Sequence, residues 1–213
     1  MDRRAHWERV YAEKQPDQVS WYQAEARLSR DLITRVAPPP APRIIDVGGG
    51  ASRLVDDLLA RGYAQVQVLD LSASALAAAH ARIGRDGDRV HWMVGDVLST
   101  EFAPASLDVW HDRAVFHFLT DAADRARYVE QVRQAVKADG LVLVATFAED
   151  GPLKCSGLDV ARYSPEALHH EFGEDFRVLE SHREEHRTPW DAVQWFTYCL
   201  CRYEPAGRSR RAA

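Results

Sequence analysis

An α/β fold of the doubly wound type, a mostly parallel sheet with helices on both faces, is what this sequence predicts, and three observations carry it. Short apolar runs near 43–47, 66–70, 89–94, 107–111 and 141–147 alternate with segments whose apolar residues recur at helical spacing. The first run breaks into Gly48-Gly49-Gly50 directly before a helical pattern. The fifth, Leu141 to Phe147, is nearly continuous in apolar residues, as a strand covered on both faces must be. Two more strands, Phe176 to Arg187 and Val193 to Tyr203, raise the count to seven. Their short connection Thr188-Pro189-Trp190-Asp191 makes the last strand antiparallel.

Each element has a local reason. Trp7, Val10 and Tyr11 share one side of a helix from Arg3 to about Glu13, which Pro16 ends, and Leu28, Leu32, Ile33 and Val36 mark a second helix stopped by Pro38-Pro39-Pro40. Residues 1–40 thus form an N-terminal helical cap belonging to the same domain as the core, 41–204. Residues 205–213 are a basic tail expected to be flexible, with Arg208-Ser209-Arg210-Arg211 simply solvated. In the core, Leu54, Val55, Leu58 and Leu59 face the sheet from a helix spanning Ser52 to Arg61 that ends at Gly62. Ser72 caps a helix through Ile83, Asp121 one through Lys137, and Ser164 one opened by Pro165 and closed by Phe172-Gly173. The stretch Glu149 to Leu158 is a long loop at the carboxyl edge, a frequent place for function.

The chain has 213 residues, 46% hydrophobic and 28% charged, enough for one domain with a full core. No apolar run approaches the ~20 residues that span a bilayer, and Met1-Asp2-Arg3-Arg4 leads into a polar helix, so a cytoplasmic protein without a membrane partner is expected. Cys155, Cys199 and Cys201 have neither zinc spacing nor a disulfide framework, so reduced thiols and no metal are expected. A net charge of −5 argues against a nucleic-acid partner.

Glycines at 48 and 50 can take positive φ and leave room for a ligand against the backbone, although such turns also serve as plain tight connections. Asp70 ends the second strand about 20 residues past the last glycine, where doubly wound folds place a carboxylate for two ribose hydroxyls. Arg53 occupies the place of the third glycine of G-x-G-x-x-G, and Asp46 suits a cationic ligand better than a diphosphate. An NAD-dependent oxidoreductase is disfavoured on both counts.

Asp46-Val47-Gly48-Gly49-Gly50, Leu69-Asp70-Leu71-Ser72 and Gly95-Asp96-Val97 together resemble the successive cofactor motifs of class I S-adenosylmethionine-dependent methyltransferases, whose glycine motif is close to D-x-G-x-G. The resemblance runs from about Arg43 to Tyr203. It implies a Rossmann-like seven-stranded methyltransferase sheet with an antiparallel last strand, and a methyltransferase using S-adenosyl-L-methionine. It further implies that Asp46, Gly48 and Gly50 hold the methionine portion, Asp70 the ribose, and Asp96 with Val97 the adenine. Ser52 and Leu71, beside these motifs, join the expected cofactor set. Trp21 and Tyr22 are a packed strap by composition; by resemblance they belong to a lid over cofactor and acceptor.

The fourth strand ends in His111-Asp112-Arg113 at the edge where parallel sheets place ligands. His111 and His117 are the candidate acid–base residues, with His111 and Arg113 also facing the cofactor; the alternative is a structural pair made by Asp112 with Arg113 or a histidine. Tyr22, Asp112, His117, Cys155, His186 and Trp190 are candidate acceptor contacts. His117, Cys155 and His186 would together suit a soft acceptor or metal, but lack ligand spacing, and the alternative reading of Cys155 is a small buried hydrophobe. A small-molecule acceptor is expected because no recognition domain is added. The alternatives are a protein lysine, from family members with an Asp-Lys-Gly-type segment where this chain has Asp112-Arg113-Ala114, and a non-catalytic cofactor-binding module.

Overall fold

The computed structural model describes residues 2–206, so the basic segment Arg208–Arg211 lies outside the described residues. Seven strands form one sheet in the order β3-β2-β1-β4-β5-β9-β8. In chain order they are β1 (Arg43–Val47), β2 (Gln65–Asp70), β3 (His91–Val94), β4 (Leu107–Arg113), β5 (Val136–Phe147), β8 (Phe176–Arg187) and β9 (Val193–Tyr203). The hairpin β6 (Lys154–Cys155) and β7 (Leu158–Asp159) stands apart inside the long loop. β1 to β5 pair in parallel, while β9 runs antiparallel to both β5 and β8.

Alternation within the buried strands divides the core in two. Ile45, Val47, Trp110, Val142 and Val144 point to one face, where α5 (Ala122–Ala135) and α6 (Pro165–Phe172) cover them with Tyr128, Val132, Leu168 and Phe172. Ile44, Val66, Val68, Leu141 and Leu143 point to the other, under α2 (Arg27–Val36), α3 (Leu54–Ala60) and α4 (Ala73–Ile83). Every strand between two layers therefore reads as apolar on both sides.

The caps are where side-chain chemistry places them. Ser72 accepts from the Ala75 N–H, Asp121 from Ala123 and Ser164 from Ala167. Gly84 and Gly173 end their helices at φ +68° and +84°. Several boundaries differ from expectation: α3 spans Leu54–Ala60 rather than Ser52 to Arg61, β3 begins at His91 rather than Arg89 and β5 at Val136 rather than Leu141. α5 stops at Ala135 rather than Lys137, because Val136 already pairs with Leu107. β4 runs two residues further, to Arg113, which carries the polar cluster along the sheet rim.

The first helix, α1 (Arg3–Glu13), has no fully buried residue. It lies across the carboxyl end of the sheet instead of packing on a face. Glu8 fastens it to the start of α4, accepting from Ala73 N–H at 2.7 Å, Ser74 Oγ–H at 2.7 Å and Ser72 Oγ–H at 3.1 Å. Arg3 pairs with Asp124 of α5 at 2.6 Å on the far side. These hydrogen bonds hold the Glu8 carboxyl below its ordinary range, so the attachment is present above about pH 4.5 and is lost as pH falls through the lowered value. Glu8→Ala is expected to remove a cap worth ~1 kcal/mol, seen as faster amide exchange in α1 with the sheet unaffected.

Candidate active site

The carboxyl ends of β1, β2, β3 and β4 form the floor of a cleft. Val47, Gly48, Asp70, Asp96 and Val97 line the floor, and Arg3, Trp7 and Tyr11 of α1 form the roof with Trp21. The end towards β4 is closed by Arg113, Val115, Phe118 and Cys155. Trp7 packs edge-on between Trp21 and Phe118, with ring centroids 5.5 and 5.2 Å away. Four aromatic or aliphatic walls thus exclude water from the β4 end.

Gly48 has φ +67°, and a Cβ there would lie 1.9 Å from Val115 Cγ2, so only glycine admits this turn. Gly50 (φ +40°) sits under the Tyr11 hydroxyl and Asp70 Oδ2, where a Cβ would come within 2.9 and 2.8 Å. Asp70 Oδ1 accepts from Ser72 N–H at 2.8 Å. Burial, aided by the nearby Asp46 and Glu8 charges, pushes its carboxyl up to about 7 against that hydrogen bond. Asp96 is half-buried, with Oδ1 accepting from Leu98 N–H at 2.9 Å, while Val97 is buried beside it. Leu71 lines the same end.

A second cavity of about 560 Å³ adjoins the first across Gly48 and Arg113. Asp46, His111, Ser52 and Tyr22 meet there, along with Ser29 and Arg53. Arg113 spans the boundary. It donates from Nε to the Tyr198 hydroxyl at 2.8 Å, from Nη1 to the Trp21 carbonyl at 3.2 Å and from Nη2 to Glu184 at 3.4 Å, and it stacks 4.0 Å over Phe196. The Tyr198 hydroxyl in turn donates to Glu184 at 2.8 Å. Tyr198 is therefore part of the polar framework at the rim.

Four expectations are corrected by this geometry. Asp112 is wholly buried and accepts from Val115 N–H, Phe116 N–H and the Tyr128 hydroxyl at 2.8, 3.0 and 2.6 Å; it pairs with neither Arg113 nor a histidine and faces no cavity described above. His117 is also fully buried, its Nδ1 accepting from Phe147 N–H at 3.3 Å, and burial with the Arg113 charge pushes it down to about 3. A ring so hard to protonate and outside both cavities is no acceptor-side base. His111 Nδ1 is bound to Asp46 and Nε2 to Ser29, so it has no free nitrogen for an acceptor. Trp190 is 58% exposed at the β8–β9 turn and lines neither cavity.

The remaining candidates separate. Cys155 does face the cleft, 3.9 Å from Ser20 Oγ, with its thiol pushed up to about 11 by burial. His186 donates from Nε2 to the Ser20 carbonyl at 2.6 Å and lines a shallower groove with Tyr22 and Arg187. His117, Cys155 and His186 are therefore not a ligand set, and no group of three potential metal ligands occurs among the described residues. Glu8, Tyr11 and Ser29 were not singled out from sequence. Tyr11 follows Trp7 by four residues on α1, a spacing that signals only a shared face.

A glycine turn at the end of β1, an acid at the end of β2, a second acid after β3 and a roofed cleft between them define a doubly wound nucleoside-binding domain. The methyltransferase domain family matches residues 44–140. The match, the relatives and the fold together support a class I S-adenosylmethionine-dependent methyltransferase. It is 26% identical to O-methyltransferase cnsE of Penicillium expansum over 65% of this chain and 49% of that one. It is 37% identical to the ubiquinone/menaquinone biosynthesis C-methyltransferase UbiE of Dinoroseobacter shibae over 37% of this chain and 33% of that one. The chain thus spans half or less of the length of these curated relatives. In fold it is similar to the 1,6-didemethyltoxoflavin-N1-methyltransferase of Burkholderia thailandensis, solved with S-adenosylhomocysteine and 1,6-didemethyltoxoflavin (TM-score 0.71, 19% identity, 95% of this chain and 87% of that). It is also similar to an S-adenosylmethionine-dependent methyltransferase of Anabaena variabilis (TM-score 0.72, 14% identity, 96% of each).

Proposed function

We propose that this chain transfers the methyl group of S-adenosylmethionine to a small molecule held at the β4 end of the cleft. The observation that carries the reading is the row of ligand groups along one sheet rim. Gly48 clears the backbone, Asp70 offers two carboxylate oxygens to ribose hydroxyls, and Asp96 with Val97 provides an acceptor and an apolar wall for adenine. Residues 2–40 act as the cap. When bound, the cofactor supplies an electrophilic methyl on a sulfonium whose charge disappears on transfer.

The protein's part is alignment and exclusion of water. Trp7, Tyr11 and Trp21 place π faces around the cleft, a surrounding favourable to a cation. Among the described residues no histidine lines the cleft, and burial pushes the Cys155 thiol up to about 11, so it stays protonated at neutral pH. The reading therefore favours an acceptor whose nucleophile needs no strong base, such as a ring nitrogen or an ionised hydroxyl. A small acceptor agrees with the roof of Arg3, Trp7, Tyr11 and Trp21 over the cleft. The N-methyltransferase and C-methyltransferase relatives act on small ring compounds by their names, which agrees with this choice.

Incubation with radiolabelled cofactor and a cell extract, followed by separation by size, tests the proposal. Label in the low-molecular-weight fraction supports it. Label on macromolecules alone refutes the small acceptor, and binding without any transfer across acceptor panels leaves a binding module.

A further inference from the structure

Behind the glycine turn, three side chains from three elements form one buried chain. His111 Nδ1 lies 2.7 Å from Asp46 Oδ1, and His111 Nε2 lies 2.8 Å from Ser29 Oγ on α2. Their relative exposures are 3%, 2% and 1% for His111, Asp46 and Ser29. A carboxylate only accepts, so Nδ1 carries a proton towards Asp46, while Nε2 is anchored on the Ser29 hydroxyl.

The other carboxylate oxygen is left over. Asp46 Oδ2 is buried and has no hydrogen-bond partner, a costly state unless a ligand completes it. It faces the space that a side chain at Gly49 would fill, since a Cβ there would lie 2.6 Å from Oδ2. Gly49 does not have positive φ, so its lack of a side chain serves space rather than backbone conformation. The cavity beside it is lined by Asp46, Ser29 and His111, and also by Arg53 and Arg113. One free carboxylate oxygen in a cavity that Arg53 also lines matches a zwitterionic amino-acid terminus, ammonium towards Asp46 and carboxylate towards Arg53.

We propose that Ser29 is a positioning residue which, through His111, fixes the Asp46 carboxylate so that Oδ2 receives the ammonium group of the cofactor's amino-acid end. The inference rests on the cofactor assigned above. It adds a residue that acts without touching the ligand, as outer partners of ligating groups do elsewhere. Without the Ser29 hydroxyl, the imidazole loses one of its two anchors and Asp46 can turn its free oxygen away.

Two ligands separate this role from a structural one. S-adenosylhomocysteine carries the amino-acid end, whereas 5′-methylthioadenosine keeps the nucleoside and thioether but lacks it. By calorimetry, Ser29→Ala is expected to weaken the first roughly tenfold, the scale of one charge-assisted hydrogen bond, and to leave the second within about twofold. In the unmodified protein, the deshielded proton resonance of His111 Nδ1 should shift on adding S-adenosylhomocysteine and stay in place with methylthioadenosine. Equal weakening of both ligands, no weakening of either, or a resonance that responds to both alike overturns the proposal. The resonance measurement stands even if Ser29→Ala fails to fold. If the unmodified protein binds neither ligand, the cofactor assignment itself fails and this inference falls with it.

Discussion

Asp70→Asn is expected to cut affinity for S-adenosylhomocysteine by about 100-fold, since it trades two charge-assisted acceptors for a single neutral one. The same change should raise the stability of the ligand-free protein near neutral pH. Burial beside Asp46 and Glu8 holds the Asp70 carboxyl at about 7 in the folded chain, against an ordinary value of 3.8. A raised folded value means that its contribution is fully present below about pH 4 and is lost as pH rises through about 7, at roughly 1.4 kcal/mol per unit. The asparagine lacks this loss, so the variant's advantage grows between pH 4 and 7 and is flat above. Thermal melts across that window check the stability half, and calorimetry the affinity half. In the unmodified protein, ligand hydroxyls favour the ionised acid, so binding at pH 6–7 should release a proton, read from the dependence of the heat on buffer ionisation. Proton uptake would contradict this account of the site.

Asp112→Ala is expected to be the most destabilising single change at the rim. Two backbone N–H groups and the Tyr128 hydroxyl would lose their acceptor in a place without water. At ~1 kcal/mol or more for each of the three orphaned groups, the loss comes to roughly 3 kcal/mol or more, a large part of a domain's stability. Asp112→Asn should recover some of it, because the amide oxygen still accepts. Denaturant unfolding monitored by circular dichroism provides the test. The variant pair also discriminates between roles, since an acceptor contact would show as lost turnover in a fold of undiminished stability.

The strands were legible because parallel strands buried on both faces must be apolar throughout, as Leu141 to Phe147 is. The caps were legible because Ser72, Asp121 and Ser164 act on N–H groups two or three residues away. Most of the nucleoside set was readable for the same reason: Gly48, Asp70 and Asp96 follow directly from the ends of three strands. The histidines were not. His111 and His117 stand six residues apart on the same rim, and nothing in their spacing tells that one is clamped between Asp46 and Ser29 and the other sealed behind Phe118 and Phe147.

Sequence by itself determined the sheet, its handed alternation with helices, and the positions of the glycines and acids that meet a nucleoside, since each depends on residues within a few positions along the chain. Tertiary structure alone decided that α1 roofs the cleft through Glu8 and Tyr11, that Asp112 supports the backbone, and that Ser29 reaches Asp46 through His111. Those contacts join residues from 65 to 82 positions apart in the case of Glu8, Asp46 and Ser29. Their partners are chosen by how layers stack and not by local pattern, so a polar residue's role is fixed only once folding has selected its neighbours.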